Sequence, residues 1–432
     1  MHTVHAIDIT DDISLTCIQT SKFKTGTITI NLIGALRPET AASSALLPRV
    51  LRRGTEGHPD MDSLATALDE LYGASINPIV RKKGELHCIG FHVDFPDDTC
   101  IPAGGNILEK TISLAGEILL DPVKDSNLLK QDYIDSERKN LIDDIRSAIN
   151  DKRGYSIDRL IEEMCTGEYY ATNRLGKEEE ALLITPETLM AHYRKQITMQ
   201  KMQVQYCGAA EPERVASAIQ NALRNLPDRN ISEMPTTNVI LSPPTETSKE
   251  ISEVLDVSQG KLAIGFRLGK DLKTDLDYPA MMVFNSIYGA GVTSKLFVNV
   301  REKLALCYYA GSMIDKHKGI MIVSSGIDSA NYNVALDEIL AQLGHVKNGN
   351  ISNDEMKSAI TSVTTAIKSS MDRPSGLMEL YFDSAVSPEP YDPETLCDKI
   401  EAVTLDRVVD CAAEIKTDTI YFLTGQEDED EI

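Results

Sequence analysis

The hydrophobic and polar positions of the chain change period several times, and the same order of patterns occurs twice. Alternating segments that begin at Gly26 and Gly260 each predict a β-strand and lead into a long amphipathic pattern typical of helices. Further along each half, Gly84 and Gly319 precede another alternating segment. The members of these glycine pairs are 234 and 235 residues apart, which indicates an internal duplication.

The two halves also end alike. Thr185 and Thr404 are each predicted to cap a helix that is followed by a strand. A segment rich in Pro, Ser, Thr and Asn separates the halves and has the composition of a linker. We therefore predict an N-terminal domain at residues 1–225, a linker at 226–250 and a C-terminal domain at 251–432.

Helical patterns are concentrated in the middle of each half, at residues 126–149 and 354–371. Together with the strands they predict the α+β class: two homologous α/β-sandwich units, each with an antiparallel-rich sheet and helices packed on one face. The strands that begin at Gly26 and Gly260 are candidates for exposed sheet edges. Their pattern alone does not separate an edge strand from a central one.

Composition and charge narrow the class of protein. The chain has 432 residues, of which 42% are apolar, and its formal net charge of −23 without a dense basic cluster disfavours nucleic acid as a partner. It has no apolar run of about 18 residues and no signal-peptide pattern, so we expect no membrane contact and a cytoplasmic location.

The eight cysteines lack paired spacing and are interpreted as buried reduced thiols. The acidic run at 427–431 is interpreted as a solvated tail.

The histidines do not form a metal-binding pattern. His2 and His5 are the closest pair, and His87 and His92 are predicted to face opposite sides of one strand. His58 is open to two interpretations, a metal ligand or an ordinary loop histidine. No nucleophile-elbow, Walker or dinucleotide-binding motif occurs in a strand-turn-helix context. We therefore expect neither a metal nor a cofactor.

Two stretches nevertheless resemble a known family. Arg52-Arg53-Gly54-Thr55 and the helical pattern that follows resemble the N-terminal half of the insulinase/pitrilysin/mitochondrial-processing-peptidase family. In the second half, a Gly-rich turn, a Ser-x-Leu-Phe helix and an Arg-Glu-Lys-x-x-x-x-Tyr ending over residues 288–308 are a more specific match. The resemblance covers nearly the whole chain and implies a metallopeptidase-like clamshell of two duplicated units.

The zinc motif of that family is degenerate in this chain. Active members carry His-x-x-Glu-His just before the Gly-Thr step, where this sequence has Ala45-Leu-Leu-Pro48-Arg49. Glu137 fits the first of two family glutamates spaced seven residues apart, and Asp144 takes the place of the zinc-binding second one. Arg49 would put a permanent cation at a ligand position. We therefore predict no catalytic residues.

The resemblance also implies two substrate-binding residues. Arg301 and Tyr308 match a pair that, in active relatives, faces the zinc site across a closed chamber and donates hydrogen bonds to substrate carbonyl groups. Active relatives also hold peptides as an added strand at a sheet edge. The alternative is structural: Arg301 pairs with a nearby acid and Tyr308 belongs to the core, since Tyr309 beside it could serve either face.

The resemblance predicts a catalytically silent family member of bacterial type. Its expected role is the non-catalytic subunit of a heterodimer with an active paralogue, closing on short peptides or unfolded segments, with a homodimer left open. The net charge would favour basic peptides. Two alternatives are a divergent active zinc peptidase with unrecognised ligands and a stand-alone scaffold protein.

Overall fold

A computed structural model describes most of the chain. The described residues are 2–101, 105–231, 234–272, 277–386 and 391–425, so the predicted acidic tail at 427–431 lies outside them. The strands are β1 (Thr3–Thr10), β2 (Ile13–Gln19), β3 (Thr25–Ala35), β4 (Ser75–Lys83), β5 (Leu86–Pro96), β6 (Lys124–Asp125), β7 (Leu128–Leu129), β8 (Lys201–Gly208), β9 (Lys249–Val254), β10 (Gly260–Arg267), β11 (Cys307–Asp315), β12 (Ile320–Ile327) and β13 (Lys416–Thr424).

Helices connect these strands. They are α1 (Pro38–Leu51), α2 (Met61–Glu70), α3 (Ile107–Leu120), α4 (Gln131–Ser147), α5 (Lys152–Met164), α6 (Glu178–Leu182), α7 (Pro186–Met199), α8 (Pro212–Ala222), α9 (Tyr278–Tyr288), α10 (Tyr332–Lys347), α11 (Asn353–Ser370), α12 (Pro374–Ala385), α13 (Pro393–Glu401) and α14 (Leu405–Ala413). None of the described helices is both long and apolar enough to cross a bilayer.

The two main sheets repeat one topology. The first has the order β1-β2-β8-β3-β5-β4 and the second the order β11-β12-β10-β13-β9. Without β1, the strands β2-β8-β3-β5-β4 correspond one by one to β9-β13-β10-β12-β11. In each set the first pair is parallel and the other pairs are antiparallel. The predicted α+β fold of two homologous units is confirmed.

The glycines that revealed the repeat occupy equivalent places. Gly84 and Gly319 lie in the hairpin turns β4–β5 and β11–β12, where φ angles of 56° and 69° favour glycine. Gly26 and Gly260 lie at the start of β3 and β10, and both strands have hydrogen-bonded neighbours on each side. The two strands are therefore central, and the sheet edges are instead β1, β4, β9 and β11.

Each sheet has helices on both faces, whereas the sequence predicted helices on one face only. The helix on the additional face comes from the other half of the chain. In the first sheet, Ile28 and Ile30 of β3 lie in the core with residues of α3. Gln205 of β8, which pairs with Thr29 between these two residues, donates a hydrogen bond of 3.0 Å from Nε2 to the Met378 carbonyl of α12. In the second sheet, Leu160 of α5 packs with Ala263.

The compact units are accordingly discontinuous along the chain. One unit contains residues 1–146, 172–236 and 372–382, and the other contains 147–171, 237–371 and 383–432. The domain ranges predicted from the sequence follow the duplicated halves and remain predictions. The compact units follow spatial packing, which places a segment of each half in the unit of the other half.

One predicted helix begins later than expected. The pattern over residues 126–149 predicts continuous helix, but α4 starts at Gln131. Ser126 and Asn127 take positive φ angles of 51° and 68° in the tight turn between β6 and β7. Such a turn is incompatible with a right-handed helix. A second difference concerns the thiols, since Cys100 is exposed whereas the other cysteines are buried.

A buried ion-pair cluster stabilises the second unit. Arg267 of β10, only 1% exposed, donates from Nη2 to Glu168 Oε1 at 2.7 Å and from Nε to Asp418 Oδ2 at 2.8 Å. The fully buried Lys318 places Nζ 2.6 Å from Glu168 Oε2. Glu168 follows α5, so its carboxylate attaches the segment 147–171 to β10 and to the β11–β12 turn.

Replacing Glu168 by Gln should destabilise this unit strongly. The change leaves two buried cations with less compensating charge, a loss of about 3–5 kcal/mol in the free energy of unfolding at pH 7. The measurement is the urea midpoint followed by circular dichroism, and Glu250→Gln on the exposed face of β9 is the matched control. Equal midpoints for the two variants would contradict the role of the cluster.

The difference between Glu168→Gln and the unaltered chain should shrink in acid. Burial raises the pKa of Glu168, but hydrogen bonds from Arg267 and Lys318 outweigh it and leave this pKa below its usual range. A lowered folded pKa stabilises the protein above the unfolded pKa of about 4.3, and that contribution is lost as pH falls through the folded value. Urea midpoints at a series of pH values from neutral downward test this dependence.

Candidate functional site

Helix α1 carries the degenerate zinc motif. Pro38 occupies the first turn, where its missing N–H is tolerated, and small buried residues such as Ala42 and Ala45 let the helix pack closely. Pro48 lies inside the helix, yet the helix continues to Leu51, and the Pro48 carbonyl accepts a 3.2 Å hydrogen bond from the Arg52 N–H. The positions expected for the motif therefore lie on one helix, but without its imidazole and carboxylate groups.

Arg49 fills the ligand position with an ion pair. Its Nη1 lies 2.8 Å from Oδ2 of Asp144 on α4. The Asp144 side chain is 54% exposed, so solvent screens the pair, and pairs of this kind contribute about 0–1 kcal/mol. The predicted positions 49 and 144 do meet in space, although their chemistry is that of a salt bridge.

Arg53 forms a second pair next to the first. Its Nη1 lies 3.1 Å from Oε1 of Glu137, and its guanidinium carbon lies 5.2 Å from the centre of the Tyr133 ring. Asn140 donates to the other Glu137 oxygen at 3.2 Å. The role of Arg53 was missed from the sequence. The available signal was spacing: Arg49 and Arg53 are four residues apart at the end of α1 and just after it, and Glu137 and Asp144 are seven residues apart on α4.

This cluster does not have the chemistry of a catalytic zinc site. Both carboxylates are paired with permanent cations, and an arginine cannot act as a ligand or as a general base at neutral pH. Within the described ranges, no group of three or more His, Cys, Asp or Glu side chains could hold a metal ion. Glu137 and Asp144 therefore connect α4 to α1 as ion-pair partners.

His58 belongs to the loop that follows α1. Its N–H donates to Thr55 Oγ1 at 2.9 Å, and its Nδ1 lies 3.5 Å from Glu117 Oε1. The same Glu117 oxygen accepts the Thr55 hydroxyl and, at 3.0 Å, the Gly57 N–H. The geometry favours the loop-histidine interpretation over a metal ligand.

The second-half motif begins at a glycine turn. The Gly289 carbonyl accepts a 3.1 Å hydrogen bond from the Ser312 N–H on β11, and a Cβ at Gly289 would lie 2.5 Å from Ser312 Oγ. Glycine is needed at this close approach. The helix expected after the turn is a π-helix over Leu296–Lys303, a form that often marks functional sites.

Arg301 lies in that π-helix and Tyr308 at the start of β11. The Arg301 guanidinium carbon is 4.6 Å from the Phe297 ring centre, and its Nε is 3.7 Å from Glu302 Oε1. Tyr308 is 75% exposed, which excludes the core interpretation. It is the extra residue of a β-bulge, since Cys307 and Tyr309 pair with consecutive residues of β12. The bulge turns the phenol outward.

Tyr309 has the structural role instead. Its ring lies under the Arg153 guanidinium, with 4.4 Å between the ring centre and the guanidinium carbon. Burial raises its pKa, and its hydroxyl oxygen accepts a long hydrogen bond of 3.4 Å from Ser324. Of the two neighbouring tyrosines, Tyr308 is therefore the one available to a ligand.

Comparisons with known proteins agree with these observations. Residues 183–363 match the family model of the peptidase M16 inactive domain. The chain is also 33% identical over 413 residues to a Bacillus subtilis (strain 168) protein named "Probable inactive metalloprotease YmfF", covering 95% of each chain.

Solved structures share the fold. A conserved protein from Enterococcus faecalis V583 has a TM-score of 0.89 at 24% identity, over 99% of this chain and 100% of that one. A Helicobacter pylori protease has a TM-score of 0.80 at 13% identity, over 98% and 100%. A putative M16-like peptidase from Alicyclobacillus acidocaldarius has a TM-score of 0.75 at 12% identity, over 98% and 99%.

The full-length relative and the loss of the metal ligands lead to one conclusion. Sequence similarity extends over nearly all of both chains, while Ala45, Pro48 and Arg49 replace the side chains that zinc chemistry requires. This chain belongs to the M16 peptidase family, as one of its inactive members.

Proposed function

We propose that this protein is the non-catalytic subunit of a two-protein peptidase, in which an active M16 paralogue supplies the zinc. The observation that carries the proposal is an asymmetry between the two halves. The Arg49–Asp144 ion pair occupies two ligand positions of the first half, whereas the second half keeps Arg301 and an outward-facing Tyr308. A guanidinium and a phenol both donate to peptide carbonyl groups. In the proposed complex, both donors bind the peptide that the zinc of the partner subunit cleaves.

The exposed sheet edges add a second means of holding a peptide. Edge strands present unpaired backbone groups, which an extended substrate can complete without specific side chains. The edge strand β11 carries Tyr308, and its Ser312 N–H is already bonded to the Gly289 carbonyl. Backbone pairing is therefore proposed for the part of β11 nearer Tyr308, where the phenol would act on the same segment of substrate. Extended peptides and unfolded segments are therefore the proposed substrates.

Assembly with an active paralogue is the first test. The protein is mixed with an M16 paralogue of the same organism that has an intact His-x-x-Glu-His motif, and the mixture is analysed by size exclusion with light scattering. A stable heterodimer that cleaves a fluorogenic unfolded peptide faster than the paralogue alone is expected. Cleavage by this chain alone would favour a divergent active peptidase, and absence of both assembly and stimulation would favour a scaffold.

The unaltered chain should not retain stoichiometric zinc, whereas a rebuilt motif should. Ala45→His, Pro48→Glu, Arg49→His and Asp144→Glu together restore two imidazoles four residues apart and a longer carboxylate facing them. The contact between Arg49 and Asp144 shows that these positions already face each other. We expect about one zinc per chain in this variant, measured by atomic emission after dialysis.

The matched control is the same variant without Ala45→His, which lacks one imidazole and should hold little zinc. Stoichiometric zinc in the unaltered protein would overturn its assignment as inactive. Absence of zinc from the rebuilt variant, with its circular dichroism unchanged, would contradict the inferred positions of the ligands.

Loss of the Tyr308 hydroxyl should weaken substrate binding in the assembled pair. Tyr308→Phe removes one donor, worth roughly 1 kcal/mol, so KM should rise about fivefold while kcat changes little. The measurement is steady-state peptide cleavage by the heterodimer. Tyr72→Phe, at another exposed tyrosine, is the control. An unchanged KM for Tyr308→Phe would remove this residue from the proposed site.

The charge of −23 should favour basic substrates. Raising the NaCl concentration from about 0.05 to about 0.5 M shortens the screening length and should slow cleavage of a lysine-rich peptide. Cleavage of an uncharged peptide of equal length should change much less. Rates insensitive to salt for both peptides would count against electrostatic selection.

A further inference from the structure

An exposed arginine of the second unit lies against the edge strand β11. Arg153 belongs to the first turn of α5, in the segment of the first half that packs with the second unit. Its guanidinium carbon lies 4.4 Å from the ring centre of Tyr309. The residues that the structure describes offer it no ion pair. The carboxylate closest in sequence, that of Asp151, instead accepts the Gly154 N–H at 3.1 Å as the cap of α5.

A second cation lies in the same row of the sheet. Lys261 of β10 and Tyr309 of β11 both pair with Gly326 of β12, so all three belong to one face. It is the face that α5 covers, because Ala263, two residues after Lys261, packs with Leu160 of α5. Arg153 and Lys261 are therefore on the same side of the second sheet.

Lys261 also lacks a neighbouring acid. Its Nζ donates to Gln259 Oε1 at 2.8 Å, and the Gln259 side chain and the Tyr309 ring together fill the space above Gly326. Burial lowers the pKa of Lys261, and no nearby carboxylate offsets this effect. Two cations thus border the Tyr309 ring, on a protein whose net charge is −23.

The backbone beside these cations is directed toward an added strand. The Ser312 N–H points away from β12, because it donates to the Gly289 carbonyl. Backbone groups alternate in direction along a strand, so the N–H and C=O groups of Ala310 point to the same outer edge. In a peptide paired there, the residues next to the one opposite Ala310 direct their side chains to the α5 face, where Arg153 stacks on Tyr309.

We propose that Arg153, with Lys261 behind it, binds a carboxylate of the peptide that adds to β11. The carboxylate is either an acidic side chain or the C-terminus of the peptide. A guanidinium matches the two oxygens of a carboxylate with paired N–H donors, and stacking on Tyr309 orients its plane. Arg153 is thus a specificity-determining residue. This inference rests on the proposed function and specifies one position of its substrate.

The general field of the protein works against such a group. A net charge of −23 favours basic peptides overall and repels an added carboxylate. Tighter binding on addition of one carboxylate therefore has to come from local cations, which makes the sign of the effect diagnostic.

Fluorescence anisotropy with the full-length chain tests the subsite. Three peptides labelled at the N-terminus share one uncharged extended sequence: the first ends in a free carboxylate, the second in an amide, and the third in an amide with one central Glu. At least one carboxylate peptide should bind about fivefold more tightly than the uncharged amide. Preference for the first identifies the C-terminus, and preference for the third identifies an acidic side chain. Equal affinities, or no saturable binding, overturn the proposal.

Variants in the first turn of α5 separate the subsite from general electrostatics. Arg153→Gln should abolish the preference, and Arg153→Lys, which keeps the charge without the paired donors, should retain part of it. Lys152→Gln is the matched control, an equal charge change at the adjacent residue, and should keep the preference. Circular dichroism verifies the fold of each variant. Equal losses in Arg153→Gln and Lys152→Gln would show a general charge effect and overturn the subsite.

These measurements use the chain without a partner, so they fail separately from the proposed function. A carboxylate preference without assembly of a heterodimer leaves the subsite and removes the role as a peptidase subunit. A stimulated heterodimer without the preference leaves that role and removes the subsite.

Discussion

The second unit depends on a buried cluster of charges. Arg267 and Lys318 are removed from water, and each needs an acid at hydrogen-bond distance, because an unpaired buried charge costs several kcal/mol. Glu168 is paired with both, and Asp418 is a further partner of Arg267. Since Glu168 comes from the first half of the sequence, this electrostatic requirement makes residues 147–171 part of the second unit.

Charge pairing has a different consequence at the degenerate zinc positions. A zinc ion normally holds its ligand helices in place, and here Arg49 and Arg53 join α1 to α4 through Asp144 and Glu137. Positive charge is thus supplied by side chains, without a Lewis acid or an activated water. Side-chain ion pairs therefore connect the two helices at positions where the zinc chemistry is absent.

Local features of the fold could be predicted from the sequence, whereas features that depend on residues distant in the chain could not. The turns at Gly84 and Gly319 and the caps at Thr185 and Thr404 follow from backbone geometry and from hydrogen bonds within a few residues. The start of α4 was misplaced because a periodic pattern does not reveal the β6–β7 turn that precedes it. At the site, the missing zinc ligands were legible from spacing, whereas the Arg53–Glu137 pair and the bulge at Tyr308 required coordinates.

The sequence by itself determined the duplication, the fold class and the absence of the zinc motif, since each is written in residue type and spacing. Tertiary structure alone decided that β3 and β10 are central, that α5 and α12 pack against the sheet of the other half, and that Tyr308 rather than Tyr309 is exposed. It also brought Arg153 of the first half to the ring of Tyr309. The hydrophobic period and the secondary-structure propensity of a segment indicate which of its groups must be buried or hydrogen-bonded. They do not indicate the distant segment that covers or pairs with those groups, because that choice depends on the packing of the whole chain.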